Sequence, residues 1–163
     1  MTSNVSGIFS ALDAAPITFT FRNQQKTPTI KTLSELPNTI NGAADLPMRL
    51  LLSMDGVGEG QSIKFTTLNS GTEGGGNLEV QWQVTDLMLL IPQAQGSGFK
   101  DVADTLVSYM GKYVDMVRNK RNLTEGISIT NVRLSAGTYM FPGEGGTLYF
   151  GVQAILDLLE IVS

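Results

Sequence analysis

The beginning of the chain carries two hydrophobic patterns with different periods. The first has helical spacing and predicts a short N-terminal helix that ends before Pro16. The apolar members of this helix are Val5, Ile8, Phe9 and Leu12. From Ile17 to Phe21 apolar and polar residues alternate, which is the period of a strand with one buried face. A helix and a strand therefore follow each other with almost no linker.

Residues 76–93, GNLEVQWQVTDLMLLIPQ, change character halfway along. Apolar residues occupy every second position from Leu78 to Val84, as in a strand with one wet face. Every residue from Leu87 to Ile91 is apolar, as in a strand buried on both faces. The pattern predicts one long strand whose second half is covered twice, and it leaves open what covers the second face.

Further strands are predicted on both sides of this stretch. Residues 48–52 and 63–67 predict a hairpin with its tip at residues 55–60. Residues 127–136 alternate but change phase near Thr130 and Asn131, which predicts a bulge. Residues 147–162 fit a strand or a helix, and we favour a strand because the segment begins in a glycine-rich turn and contains β-favouring aromatics.

The clearest helix spans roughly residues 98–119. Its apolar residues recur at the i, i+3, i+4, i+7 spacing of one helical face. They are Phe99, Val102, Ala103, Leu106, Met110, Tyr113, Val114 and Val117, with Val107 and Tyr109 as a second stripe. Together these elements predict an α+β fold: a single mixed or antiparallel sheet with one long helix packed across it and a short N-terminal helix. At 163 residues we expect one domain over residues 1–163.

Composition removes several classes of function. The chain has no cysteine and no histidine, so it lacks thiolate and imidazole chemistry, including the commonest metal ligands. The net charge of −4 argues against a protein whose main task is to neutralise nucleic-acid phosphates. No signal peptide or membrane-spanning run is visible. We expect a protein that is not an enzyme, needs no cofactor or metal, and does not work at a membrane.

Asp86 is an acid inside an otherwise apolar strand. We interpret it as a bulge or interface residue that pairs with an arginine such as Arg133. The alternative is a carboxylate in a pocket, which would suit a small-molecule binding module or a cofactor-free enzyme. No Ser-His-Asp or Ser-x-x-Lys pattern accompanies Asp86.

Positive charge is concentrated at Arg118, Lys120 and Arg121. These residues follow the predicted long helix, where they complement the negative end of the helix dipole. The functional alternatives are docking to an acidic partner and contact with DNA. Aromatic residues are not interleaved with them, so stacking on single strands is not supported.

The order of the elements and several short motifs resemble the tail terminator proteins of long-tailed bacteriophages. In this chain the motifs are Leu46-Pro47, Trp82-Gln83-Val84, Tyr113-Val114-Asp115, Asn122-Leu123-Thr124-Glu125-Gly126 and Tyr149-Phe150-Gly151-Val152. The resemblance spans most of the chain. The sequence departs from it in the polar residues 23–45 and the glycine-rich residues 69–77, which are candidate docking loops.

This resemblance implies a virion structural protein that assembles as a ring, typically a hexamer, in the tail or neck of the particle. The ring caps the tail tube, joins it to a head-side connector or stopper protein, and lets DNA pass without specific binding. Assembly would occur in the host cytoplasm. Another neck, tail-tube or capsid-associated virion subunit is the alternative. No catalytic site is carried over.

In such a ring the second face of residues 87–91 could pack on the neighbouring subunit. The expected interface residues are Asp86, Met88, Leu90 and Arg133, and the expected partner-docking residues are Arg118, Lys120 and Arg121.

Overall fold

The fold is α+β, as the sequence predicted. The computed structural model describes residues 6–40, 42–52, 62–66, 77–96, 98–141 and 146–162. A seven-stranded mixed sheet carries a long helix across one face, and two further strands form a small separate sheet. The helices are α1 (Ser6–Asp13), α2 (Gly42–Asp45) and α3 (Phe99–Asn119). The strands are β1 (Phe19–Phe21), β2 (Gln24–Lys26), β3 (Thr29–Thr32), β4 (Met48–Leu52), β5 (Ser62–Thr66), β6 (Asn77–Pro92), β7 (Asn122–Thr124), β8 (Ile127–Met140) and β9 (Leu148–Val162).

Strands in the large sheet run in the order β3-β4-β6-β9-β8-β7, and β5 lies beside β6. All pairs are antiparallel except β3 with β4. The predicted hairpin between residues 48–52 and 63–67 is wrong. β4 pairs with the second half of β6 and β5 pairs with its first half, so the two strands lie end to end along one edge of β6. The 16 residues of β6 provide an edge long enough for both. The predicted tip at residues 55–60 lies outside the described residues.

Two local predictions in the second half of the chain are confirmed. The register between β8 and β9 shifts between Ile129 and Asn131, which is the predicted bulge. Residues 148–162 form a strand rather than a helix, and β9 pairs with β6 on one side and β8 on the other. A central strand gains buried neighbours on both sides, so strand-favouring residues prevail over the helical alternative.

The main core lies between α3, α1 and one face of the sheet. Its buried residues include Ile8 and Leu12 of α1, Val102, Leu106, Tyr109, Tyr113 and Met116 of α3, and alternate residues of β6 and β9. Helix α3 packs with one stripe of its apolar residues. Val107 and Val114, which the spacing also placed on an apolar face, are 64% and 54% exposed. None of the helices in the described ranges is long and apolar enough to cross a membrane.

A second, smaller core covers the other face of the sheet. It contains Leu87 and Leu89 of β6 and residues from β4, β9 and the segment after β8. The buried members are Met48, Leu50, Leu87, Leu89, Phe141 and Tyr149, and the partly buried ones include Leu36, Ile40 and Leu46. The chain therefore covers the second face of residues 87–91 with its own polypeptide.

Much of the polar segment 23–45 is accordingly not a free docking loop. It forms β2, β3, a 3-10 turn at Leu33–Glu35 and α2, and Leu36 and Ile40 pack on the second core. The turn begins at Thr32, whose backbone N–H donates to Glu35 Oε2 over 3.1 Å. The other candidate docking loop, residues 69–77, lies outside the described residues except for Asn77.

Candidate assembly surface

The most polar part of the interior is an ion pair between Arg49 and Asp86. The Arg49 Nε atom lies 2.9 Å from both carboxylate oxygens, and its second terminal nitrogen lies 2.6 Å from Oδ2. Both side chains have a relative exposure of 0%. This is the bidentate arrangement, in which one guanidinium donates two hydrogen bonds to one carboxylate, and it is stronger than a single bond between neutral groups.

Neighbouring groups complete this network. The Tyr113 hydroxyl donates to Asp86 Oδ2 over 2.7 Å, and the remaining terminal nitrogen of Arg49 donates to the Ala15 carbonyl over 2.7 Å. The network therefore joins four parts of the chain: the segment after α1, strands β4 and β6, and helix α3. Strand register explains the meeting, because Arg49 is opposite Met88 and Asp86 is opposite Leu51, which makes the charged residues diagonal neighbours on one face.

Burial and the charge of Asp86 shift the pKa of both Arg49 and Tyr113, in opposite directions for Arg49 and in the same direction for Tyr113. Burial lowers the pKa of the Arg49 guanidinium, but the charge and hydrogen bonds of Asp86 outweigh it and hold that pKa above its ordinary value. For Tyr113, burial and then the nearby Asp86 charge raise the pKa of the hydroxyl well above its ordinary value. Tyr113 is therefore a neutral hydrogen-bond donor to a carboxylate that is sealed from solvent.

These positions correct three of the predicted interface residues. Asp86 pairs with Arg49 and not with Arg133, because Arg49 lies on the neighbouring strand and on the same face. Met88 and Leu90 are 0% and 1% exposed in the main core of a single chain. Asp86, Met88 and Leu90 therefore have no surface to offer a neighbouring subunit. A carboxylate in an accessible pocket is also contradicted, since Asp86 is 1% exposed and its oxygens accept bonds from Arg49 and Tyr113.

Arg133, the fourth predicted interface residue, lies on the surface. Its guanidinium donates to Asp157 Oδ1 over 3.2 Å. Asp157 also accepts from Gln83 and Asn131, each over 3.0 Å. Partial burial opposes ionisation of Asp157, but the hydrogen bonds from Gln83 and Asn131 and the Arg133 charge hold its pKa below the ordinary value. The cluster lies on the face of the sheet opposite α3, in the part of that face that the second core leaves exposed to solvent.

The predicted docking residues lie together at the C-terminal end of α3. Arg118, Lys120 and Arg121 are all exposed. Lys120 and Lys112 line an open depression of about 320 Å³ between this end of α3 and residues 14–18. Pro16, Ile17 and Met116 also line it and supply apolar surface. Two ammonium groups beside an apolar surface suit a carboxylate-bearing partner, so a docking role for this end of the helix stays a prediction.

Sequence reasoning missed Arg49 and the outer edge of β8. A signal for Arg49 was present, because it is a single charge inside an apolar run, as Asp86 is in its own strand. No local sequence pattern indicated that the outer edge of β8 would be unpaired. Among the described strands, β8 pairs with β9 along its length but with β7 only near Ile127 and Ser128. Over residues 130–140 the outer edge of β8 therefore has no partner among the strands that the structure describes.

Comparison of the chain with protein-family models and with curated proteins finds no match.

Proposed function

We propose that the protein is a structural subunit of a phage virion, a tail terminator whose ring caps the tail tube and joins it to a head-side connector or stopper protein. It acts by assembly rather than by catalysis, in the tail or neck of a particle assembled in the host cytoplasm. The observation that carries the proposal is the fold. The resemblance in the motifs implies one sheet with a long helix across it, and β6, α3 and β9 follow one another in the implied order.

The placement of charge supports the same function. The carboxylate that best fitted a catalytic role, Asp86, is sealed beneath α3. The exposed features of the described residues are instead those of a binding surface: an unpaired strand edge, apolar residues on the outside of α3, and a basic helix end. Val107 and Val114 on α3 and Met140 at the end of β8 are each more than half exposed. Exposed apolar side chains of this kind are common where a protein contacts its partners.

The basic end of α3 is the part of the surface that we assign to the partner. Arg118, Lys120 and Arg121 lie outside both hydrophobic cores, so changing them leaves the fold intact. Reversing all three charges to glutamate should therefore abolish binding to the tail tube or connector and leave the mass of the ring unchanged. Loss of the ring in this variant would contradict the separation of docking from ring formation.

Light scattering of the purified protein over a range of concentration tests the ring. A closed particle with a mass of about six times 17.5 kDa, seen as a ring with a central opening by electron microscopy, is the expected result. Long tubes built from stacked rings would favour the tail-tube alternative. A protein that remains monomeric at every concentration would contradict self-assembly into a ring.

A further inference from the structure

The outer edge of β8 is long, and over residues 130–140 it has no partner among the described strands. Residues 130–140 read TNVRLSAGTYM, with neither proline nor lysine, and Arg133, the one charged residue, is already paired with Asp157. Exposed edges in soluble proteins are usually short, charged, interrupted by proline or covered, because a bare edge recruits other strands. A bulge between Ile129 and Asn131 and a hydrogen bond from the Tyr139 hydroxyl to the Ser135 carbonyl protect part of this edge. The rest of the edge has the length and composition to accept another strand.

Side chains along β8 point to the same conclusion. Val132, Leu134 and Ala136 face α3 and pack against the main core, yet each is only partly buried. They lie on an outer strand of the described sheet, so a neighbouring strand, β9, covers them on one side only. One more strand beside β8 would cover their remaining surface. Met140, at the end of the same edge, is 59% exposed.

The opposite margin of the described sheet is formed by β3, which lies in register with residues 134–137 of β8. Successive pairings across the sheet connect Lys31 of β3 to Leu50, Leu87, Gln153 and finally Ser135 of β8. The same steps connect Thr29 to Gly137. Among the described strands, β3 is the terminal one on its side, and the Thr32 N–H at its end already donates to Glu35 Oε2. A sheet that continues sideways into a second copy therefore meets β3 at the level of residues 134–137.

Strand directions allow this continuation. β3 and β4 run opposite to β6, β9 also runs opposite to β6, and β8 runs opposite to β9. β3 and β8 therefore point in opposite directions within one subunit. If two copies are related by rotation about an axis along the strands, β3 of one copy lies antiparallel to β8 of the next. Antiparallel pairing is the more stable arrangement per residue.

We propose that β8 of one copy pairs with β3 of the next copy, so that neighbouring sheets form one continuous sheet. The contact uses two different surfaces, so every copy supplies one of each, and repetition closes a ring if the rotation permits. The inference rests on the proposed function in taking the partner to be a second copy of this chain. It adds the surfaces that would form the ring, which differ from the residues Asp86, Met88 and Leu90.

Paired cysteines test the contact directly, since the natural chain has no cysteine. The double variant Lys31→Cys/Ser135→Cys places one thiol on each edge. Within one chain the two positions are four strand spacings apart, which is about 19 Å, too far for an intramolecular disulfide. Mild oxidation should therefore give a ladder of disulfide-linked multimers on non-reducing gels. An equal mixture of the two single variants should give only dimers.

Two controls separate this contact from chance collisions. The pair Lys31→Cys/Arg118→Cys moves one thiol to the basic end of α3 and should remain uncrosslinked. Ser135→Cys alone should also remain uncrosslinked, because crosslinking in that variant would mean that β8 pairs with β8, which overturns the proposal.

Light scattering of the unmodified protein distinguishes failure of this contact from failure of the ring. An oligomer in which the double variant does not crosslink would overturn the β8–β3 contact and leave the proposed function standing. A protein that is monomeric by scattering and gives no crosslinks would overturn both. A ladder that ends at the number of subunits in the ring supports both.

Discussion

Arg49 and Asp86 form an ion pair that is completely enclosed between β4, β6 and α3. Burying two charges costs hydration free energy that their attraction only partly offsets, so such a pair adds little net stability compared with apolar residues of similar size. The pair instead helps to fix how its neighbours pack. The Ala15 carbonyl and the Tyr113 hydroxyl each make one hydrogen bond to the pair, so a displacement of the segment after α1 or of α3 would leave one of these buried bonds unmade.

Removing one partner of this pair should be far more damaging than removing both. Asp86→Ala leaves the Arg49 charge buried without a counterion and should lower the free energy of unfolding by about 3–5 kcal/mol. The double variant Arg49→Met/Asp86→Leu should recover much of this loss. Chemical denaturation measures both.

The matched surface control is Arg133→Ala, which breaks an ion pair whose arginine side chain is 56% exposed. We expect a change of less than about 1 kcal/mol for it. Equal losses for Asp86→Ala and Arg133→Ala would show that enclosure of the first pair has no energetic consequence.

Two neighbouring tyrosines of α3 differ by a single hydrogen bond. Tyr113 donates to Asp86, whereas no described group lies within hydrogen-bonding distance of the buried Tyr109 hydroxyl. Tyr113→Phe should therefore lower the free energy of unfolding by about 1.5–3 kcal/mol, as expected for a bond to a charged group. Tyr109→Phe removes a buried hydroxyl with no partner and should leave stability unchanged or raise it. The two variants are compared by thermal and chemical unfolding.

The reverse order of these two effects would contradict the assignment of the bond to Tyr113. Packing is a fair match between the variants, because both rings are buried in the main core and both lose one oxygen atom. Tyr109 also packs edge-on against Phe19 with ring centroids 5.4 Å apart, a contact that phenylalanine preserves.

Local periodicity was sufficient to predict α3 and the bulge in β8, because those patterns depend on which face of an element is buried. For β9 periodicity left a strand or a helix open, and the glycine-rich turn and the β-favouring aromatics decided for the strand. The partner of Asp86 depends on which strands are neighbours, and periodicity carries no information about that. The predicted partner, Arg133, is on the opposite face of the sheet from Asp86, while Arg49 is a diagonal neighbour on the same face. The order of the strands in the sheet therefore determines which arginine pairs with Asp86.

The second core shows the same limit. A run of apolar residues in β6 correctly indicated burial on both faces, but not whether another subunit or a distant segment of the same chain supplied the cover. Leu36 and Ile40 come from a segment too polar to be recognised as core.

The predicted hairpin failed because two strands adjacent in sequence share the long edge of β6 instead of pairing with each other.

Gly151 lies where β9 passes very close to β6. A Cβ atom at this position would overlap the Met88 carbonyl oxygen and lie 3.4 Å from the Leu89 Cα atom. Both obstacles are backbone atoms of a central strand and cannot move as a flexible side chain can. Gly151→Ala should therefore destabilise the fold by more than about 2 kcal/mol, comparable to overpacking a core.

Gly111 provides the opposite case for the same substitution. It is exposed in the middle of α3, and nothing lies within 4 Å of a Cβ atom built there. Gly111→Ala should raise the free energy of unfolding by up to about 1 kcal/mol, because alanine is the better helix former. A stabilising Gly151→Ala would contradict the close approach of β9 to β6.

Acid should weaken the surface cluster around Asp157. The pKa of this carboxyl is lower in the folded protein than its ordinary value of 3.8, so its ionised form is bound more favourably in the folded state. The resulting stabilisation is present above pH 4 and is lost as the pH falls through the folded-state pKa. Asp157→Asn should therefore be less stable than the natural protein at pH 7, and the difference should shrink towards pH 3.

Solvent limits the size of that effect, since the Asp157 side chain is 34% exposed, and we expect about 1 kcal/mol or less at pH 7. A double-mutant cycle with Gln83→Ala isolates the contribution of the 3.0 Å hydrogen bond from the charge itself. Added salt should reduce the Arg133 component more than the Gln83 component, because screening acts mainly on exposed charges. A stability difference between Asp157→Asn and the natural protein that did not change between pH 7 and pH 3 would show that the ionised carboxylate contributes nothing at this cluster.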